Sequence, residues 1–220
     1  LIAATLGILR MFSPLLLAVD PSLGRVDKAS LPQQTLMELL ISGIKNTEGI
    51  LQSTDESTPI DMWDLTMNDG NVNSINWRRK DLEGSLDLQW LPPTLTFFCV
   101  LENGLTGTVD LTDLPVILNE INLSTNGFNG TIDLTHLPEA MDGLFVTDNS
   151  LDGSLDLDHL PPRLLYLGLA KNYFVGTVSL TNLPQTLTHL WINGNKLTGN
   201  PDLSQLPTSL STFKLIGNKF

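Results

Sequence analysis

Apolar and polar positions along the chain change their period twice. Residues 1–19 are apolar apart from Thr5, Arg10 and Ser13. Around residue 31 the spacing becomes helical, with Leu36, Leu39, Leu40 and Ile44 on one face. Ser30 with Gln33 fits a capping box and Pro32 an early-helix position, so a helix is predicted over about 31–45. From Val72 onward the period changes again. Leu-Pro recurs at Leu91-Pro92, Leu114-Pro115, Leu137-Pro138, Leu160-Pro161, Leu183-Pro184 and Leu206-Pro207, 23 residues apart each time. Between these pairs one frame repeats, clearest in Leu187, Leu190, Ile192, Asn195, Leu197 and Gly199.

Two inward apolar side chains separated by one outward residue make a short strand. The asparagine that follows, at Asn103, Asn126, Asn149, Asn172, Asn195 and Asn218, turns the chain inward, where its amide can pair backbone groups that the bend leaves open. The earliest unit has Lys80 at that place. A single coil buries one face only. Parallel strands therefore stack roughly 5 Å apart into a curved solenoid, about 30 Å across seven strand positions.

This frame resembles the leucine-rich repeat superfamily over residues 72–220. Leu105-Thr106-Gly107-Thr108-Val109, with the segments Phe128 to Ile132 and Leu151 to Leu155, is similar to the plant-type extracellular subclass. Asp-Leu stands where that subclass has Ile-Pro. The 23-residue unit ending in Asp-Leu-x-x-Leu-Pro is more similar to leucine-rich repeat surface and receptor-like proteins of single-celled eukaryotes. The resemblance implies an α/β solenoid: a curved array of 23-residue units, parallel strands on the concave face and an N-terminal helical cap. Its parts are expected at 1–19 (an apolar signal or membrane-anchor remnant), 20–30 (linker), 31–71 (cap) and 72–220 (repeats). The repeats number about six and a half and stop within a unit at Asn218-Lys219-Phe220, as in a truncated array.

The cap order of helix, polar loop, Trp63, a turn at Asn68-Asp69-Gly70-Asn71 and a first strand from Val72 to Trp77 also resembles the plant-type receptors. In that family a cysteine pair usually braces the cap near the tryptophan. Here no cysteine lies between residues 20 and 98, so packing around Trp63 and Trp77 has to hold it.

Charge and composition remove several function classes. The formal charge is -12, from 12 basic and 24 acidic residues, with the acids spread over both halves. A nucleic-acid backbone binder needs a basic footprint instead. The single cysteine, Cys99, excludes an intrachain disulfide and a cysteine-based zinc finger; its position in the frame predicts an outward, unreactive side chain. No phosphate loop, His-Glu-x-x-His pattern or nucleophile elbow occurs. His136 and His159 recur before Leu-Pro as exposed polar residues, and His189 falls on the strand face. Nothing calls for an enzyme, a cofactor or a metal. The column Asp87, Asp110, Asp133, Asp156 and Asp202, with Ser179 replacing one member, reads as carboxylates that accept local backbone hydrogen bonds in turns.

Recognition is expected on the concave face. One outward column reads Ser74, Phe97, Glu120, Gly143, Tyr166, His189 and Thr212; the next reads Asn76, Cys99, Asn122, Phe145, Gly168, Trp191 and Lys214. Phe97, Phe145, Tyr166, His189 and Trp191 are the candidate anchors for a protein or peptide ligand. Arg78 and Arg79, beside Lys80, form a basic cluster for an acidic partner. Asn122 and Asn129 head glycosylation triplets. These features, with membrane anchoring through 1–19, predict a membrane-anchored or secreted receptor-like or adhesive module at the cell surface. A cytoplasmic scaffold and a structural surface coat stay open as alternatives.

Overall fold

The computed structural model of the chain describes residues 28–52 and 58–220. The expected signal or anchor at 1–19 lies outside the described residues, as does the linker up to residue 27. Lys28–Ser30 is a 3-10 turn within a short unit that ends at Pro32. The second unit, Gln33–Phe220, carries the repeats. No helix among the described residues is long and apolar enough to cross a membrane.

Two helices, α1 (Gln33–Leu40) and α2 (Glu48–Leu51), precede the strands. In chain order these are β1 (Thr66–Asn68), β2 (Asn71–Asn76), β3 (Glu83–Gly84), β4 (Phe97–Cys99), β5 (Gly104–Gly107), β6 (Glu120–Asn122) and β7 (Gly127–Thr131). There follow β8 (Gly143–Phe145), β9 (Ser150–Asp152), β10 (Tyr166–Gly168), β11 (Val175–Gly176), β12 (His189–Trp191), β13 (Lys196–Leu197) and β14 (Thr212–Lys214). The even-numbered strands form one parallel sheet with β1 added antiparallel at its N-terminal edge. Partners across that sheet lie one repeat apart, as in Leu144 opposite Leu167 and Leu167 opposite Leu190. The odd-numbered strands from β3 onward make a second row along the flank, β3 to β9 in one sheet and β11 with β13 in another.

The repeat explains itself at its corners. After every Leu-Pro of the repeats, the proline carbonyl accepts a hydrogen bond from the N–H three residues on, as in Leu164 to Pro161 and Leu187 to Pro184, both near 3.0 Å (3.1 and 3.0 Å). This turn feeds the chain into the next concave strand, and the proline costs nothing there because no donor is needed from it. At the other corner stands the asparagine. Asn149 Nδ2 donates to Leu123 O in the preceding coil and to Val146 O in its own, while its Oδ1 accepts from Phe128 N–H. Asn103, Asn126, Asn172, Asn195 and Asn218 repeat this scheme. Each strand-end carbonyl from Val100 to Ile192 thus receives two asparagine donors, one from its own coil and one from the next. In the first coil Lys80 N–H and Leu82 N–H both reach Asn103 Oδ1.

The core is a stack of apolar columns, fully buried from Val72 and Ile75 through Leu187, Leu190 and Ile192. Burying one such side chain stabilises by about 1.5–3 kcal/mol. The last coil differs: Leu210, Phe213 and Leu215 are half-buried and Ile216 is exposed.

The cap departs from the sequence pattern in three ways. Its helix spans eight residues rather than fifteen or so, because Gly43 and Ile44 must bridge the flank strand β3: Gly43 O accepts from Ser85 N–H and Ile44 pairs with Gly84. Its inward face is Leu36, Met37, Leu40, Ile41 and Ile44, with Leu39 only half-buried. Gln33 is tied to a segment far along the chain. Its amide spans to the first hairpin, accepting from Val72 N–H and donating to Gly70 O and Asn71 Oδ1. That hairpin is the β1–β2 pair, whose two-residue turn has Asp69 and Gly70 at positive φ (49° and 76°), the type I′ geometry that suits the strand twist. Trp63 and Trp77 are buried, and their indole N–H groups donate to Thr58 O and Asp64 O.

Candidate functional site

The registers of the concave sheet place the two outward columns as the repeat requires. Tyr166 lies between Gly143 and His189, and Phe145 between Asn122 and Gly168, with Trp191 beyond. Strands this short show only one or two side chains on the open face, so what stands in one column is visible to its diagonal neighbours. Two glycines decide the outcome. The Phe145 ring leans over Gly143 and also meets Gly168, so a Cβ on these glycines would lie 3.0 and 3.1 Å from it.

The result is a closed circuit of rings. Phe145 stacks on Tyr166 with centroids 6.2 Å apart, and Tyr166 meets His189 at 5.1 Å. His189 meets Trp191 at 5.2 Å, and Trp191 returns to Phe145 at 6.3 Å across the Gly168 gap. Tyr166 is 37% exposed; the other three rings are half-buried against each other and open on one side. Thr188 Oγ1 lies 2.9 Å from His189 Nδ1, which fixes the ring's pivot. Phe97 is not part of this group. It stands on β4, in the column of Tyr166 but between Ser74 and Glu120.

The basic cluster is engaged internally. Arg78 Nη2 lies 2.9 Å from Glu102 Oε1, Arg79 Nε pairs with Glu102 Oε2, and Lys80 Nζ lies 2.6 Å from Asp64 Oδ2. The Glu102 carboxyl is held below its usual range by hydrogen bonds from Arg79 and then Arg78. One carboxylate against two guanidiniums still leaves a positive surplus there.

Cys99 corrects its sequence reading. Its column puts it on the concave side, yet it is only 5% exposed, and burial pushes its thiol up from the ordinary value. The glycosylation candidates lie on different faces. Asn122 is half-buried on the concave strand β6 with its Oδ1 accepting from Ser124 N–H, whereas Asn129 is exposed on the flank strand β7.

The aspartate column is a series of side-chain turns. Asp110 Oδ1 accepts from Thr112 Oγ1 and N–H, Asp133 Oδ1 from Thr135 in the same way, Asp156 Oδ1 from Asp158 N–H and Asp202 Oδ1 from Ser204 N–H. These bonds to the charged form hold all four carboxyls below the ordinary range. Asp87 differs, accepting from Gln89 and Trp90 side chains. His136 and His159 are exposed, and their Nδ1 atoms sit 3.1 and 2.9 Å from Asp133 and Asp156. No group of three or more potential metal ligands occurs among the described residues.

No protein-family model matches the chain, and no curated protein sequence matches it. Solved structures do. A chain in the complex of the Arabidopsis receptor kinase HAESA with the peptide hormone IDA and the co-receptor SERK1 superposes with a TM-score of 0.69 at 22% identity. That match covers 84% of this chain and 33% of the other, so this chain spans about a third of that relative's length. Pollen Receptor Kinase 3 gives 0.65 at 24% identity, covering 84% and 93%. The PEPR1–AtPEP1 complex gives 0.51 at 22%, covering 84% and 35%. At these identities the likeness is one of architecture. With its parallel strands one 23-residue repeat apart, the chain has the leucine-rich repeat fold.

Proposed function

We propose that this chain is a non-enzymatic recognition module that binds a protein or peptide on its concave face. The four-ring circuit of Phe145, Tyr166, His189 and Trp191 carries this reading. Large rings gain most when a partner removes them from water, and rings already fixed on a stacked sheet lose little freedom on binding. Phe97 and the Arg78–Arg79 pair, farther toward the N-terminal edge, form the rim of the same face. The receptor kinase complexes support the choice of partner, since one holds a peptide hormone with a co-receptor. They also favour the extracellular part of a receptor-like or adhesive protein.

The test places a photo-crosslinking amino acid at position 166, and separately at Val116 on the opposite flank, in cells expressing the protein. Adducts from 166 and none from 116 are expected. Adducts only from 116, or none at either position, would overturn the concave-face reading. Glycosidase-dependent mobility and protease access on intact cells report the compartment in the same samples. A cytosolic scaffold is the second reading, favoured by one observation: the cap is closed by Trp63, Trp77 and Gln33 without any cysteine. Protection from protease until the cells are permeabilised would select it.

A further inference from the structure

The ring circuit is not the whole of the concave site. In the first outward column Glu120 and Tyr166 stand on either side of Gly143, two strand spacings and so roughly 10 Å apart. The edge of the Phe145 ring fills the place above Gly143, and the Glu120 stem runs along the other side, its Cγ 3.3 Å from where a Gly143 Cβ would be. The seat therefore has a carboxylate on one wall, a phenol on the other and an aromatic floor.

Glu120 is half-buried, and its carboxylate makes no hydrogen bond or ion pair with any described residue. The other charged side chains of this region do not relieve it. Asp142, the residue before β8, repels it, and Arg163 pairs loosely with Asp142 at 3.7 Å. Lys214 lies at the far end of the face beside Trp191. Burial first, and Asp142 second, push the Glu120 carboxyl above its ordinary value. A carboxylate left desolvated, next to a second one and against ring edges and faces, is complementary to one kind of group. A cation placed there pairs with the carboxylate, and that attraction is strengthened by partial removal from water.

Resting on the concave-face reading, we infer that the ligand of this face is an extended basic peptide, one of whose arginine or lysine side chains seats between Glu120 and Tyr166 over the Phe145 ring. The aromatic circuit then covers the apolar neighbours of that residue, and the acidic character of the whole chain, -12, attracts the peptide from a distance.

The experiment selects random twelve-residue peptides displayed on phage against the intact 220-residue chain. Enrichment in arginine or lysine is expected. A synthetic copy of an enriched peptide should bind Glu120→Gln about five- to tenfold more weakly and Trp191→Ala at least tenfold more weakly. Replacing its key basic residue by glycine should abolish the difference between wild type and Glu120→Gln. Urea midpoints confirm that both variants are folded. Enriched peptides without a basic excess, or a basic peptide indifferent to Glu120→Gln, would overturn the cation seat while Trp191→Ala still reported the concave face. Peptides indifferent to both substitutions, or no enrichment at all, would overturn both readings.

Discussion

Replacing Asn172 by alanine tests the asparagine corner most directly. The side chain is 4% exposed, so water cannot substitute for it without opening the coil. Its Oδ1 accepts Leu151 N–H at 3.0 Å, and that N–H points into the coil while its neighbours pair along the flank. Its Nδ2 donates to Val146 O at 2.9 Å and Ala170 O at 3.1 Å, with Leu169 O farther off. The carbonyls keep other donors: Asn149 on Val146, Asn195 on Leu169 and Asp148 N–H on Ala170. The expected loss therefore centres on one orphaned buried N–H, about 1–3 kcal/mol, with about 0.5 kcal/mol for each weakened carbonyl. About 3 kcal/mol in all corresponds to a melting temperature lower by roughly 6–12 °C. Asn172→Asp separates the two roles. A carboxylate still accepts from Leu151 but faces Val146 O and Ala170 O with no donor, so at pH 7 it should cost more than alanine. It should regain stability relative to wild type as acid protonates it. Urea unfolding followed by circular dichroism and tryptophan fluorescence measures both variants, with the exposed Asn129→Ala as control within about 0.5 kcal/mol. A loss below about 1 kcal/mol for Asn172→Ala, or an aspartate variant as stable as wild type, would refute the reasoning.

The remaining expectations concern backbone, charge and cap. Gly84→Ala should destabilise by more than about 2 kcal/mol, since its φ is +106° and a Cβ would overlap the Gly43 carbonyl oxygen; Gly70→Ala, at φ +76° in open space, should cost only about 1 kcal/mol. Denaturant midpoints that rank the two the other way would contradict the Gly43–Gly84 contact. The lowered carboxyls of Asp110, Asp133, Asp156 and Asp202 contribute stability that is present above the unfolded-state value near pH 4 and lost as pH falls through their lower folded values. Asp110→Asn with Asp133→Asn keeps the oxygen that accepts from Thr112 and Thr135 but removes the titration, so unfolding midpoints between pH 4 and 2 should fall less steeply than in wild type; an unchanged slope sinks the assignment. Gln33→Ala leaves Val72 N–H without its acceptor and unlinks α1 from the first hairpin, so hydrogen exchange should quicken in the cap before it does around Leu144 or Leu167. Uniform exchange across the chain would argue against a separately tied cap.

Much of this architecture was already written along the chain. The 23-residue spacing of Leu-Pro and the asparagine that follows each strand are local instructions, because a proline corner and an amide corner act within a few residues. Stacking then leaves only one register in which every inward leucine meets another. That is why Leu144, Leu167 and Leu190 could be aligned without coordinates, and why the outward columns holding Phe145, Tyr166, His189 and Trp191 were legible too. The aspartate turns belong here as well, since donor and acceptor are two residues apart.

Only the folded chain decided the rest, because those outcomes depend on partners brought together by stacking or by the cap. The helix stops at Leu40 since Gly43 must reach Ser85, a contact made 42 residues away in sequence. Gln33 serves Val72 for the same reason. Arg78 and Arg79 read as a basic cluster until the next coil supplied Glu102, and Cys99, outward in its column, turned out buried in the stacked coils. The ring circuit needed Gly143 and Gly168 as much as it needed the rings. A glycine is silent in a column of side chains, and the space it leaves acquires meaning only when Phe145, from the same strand or the coil beside it, fills that space.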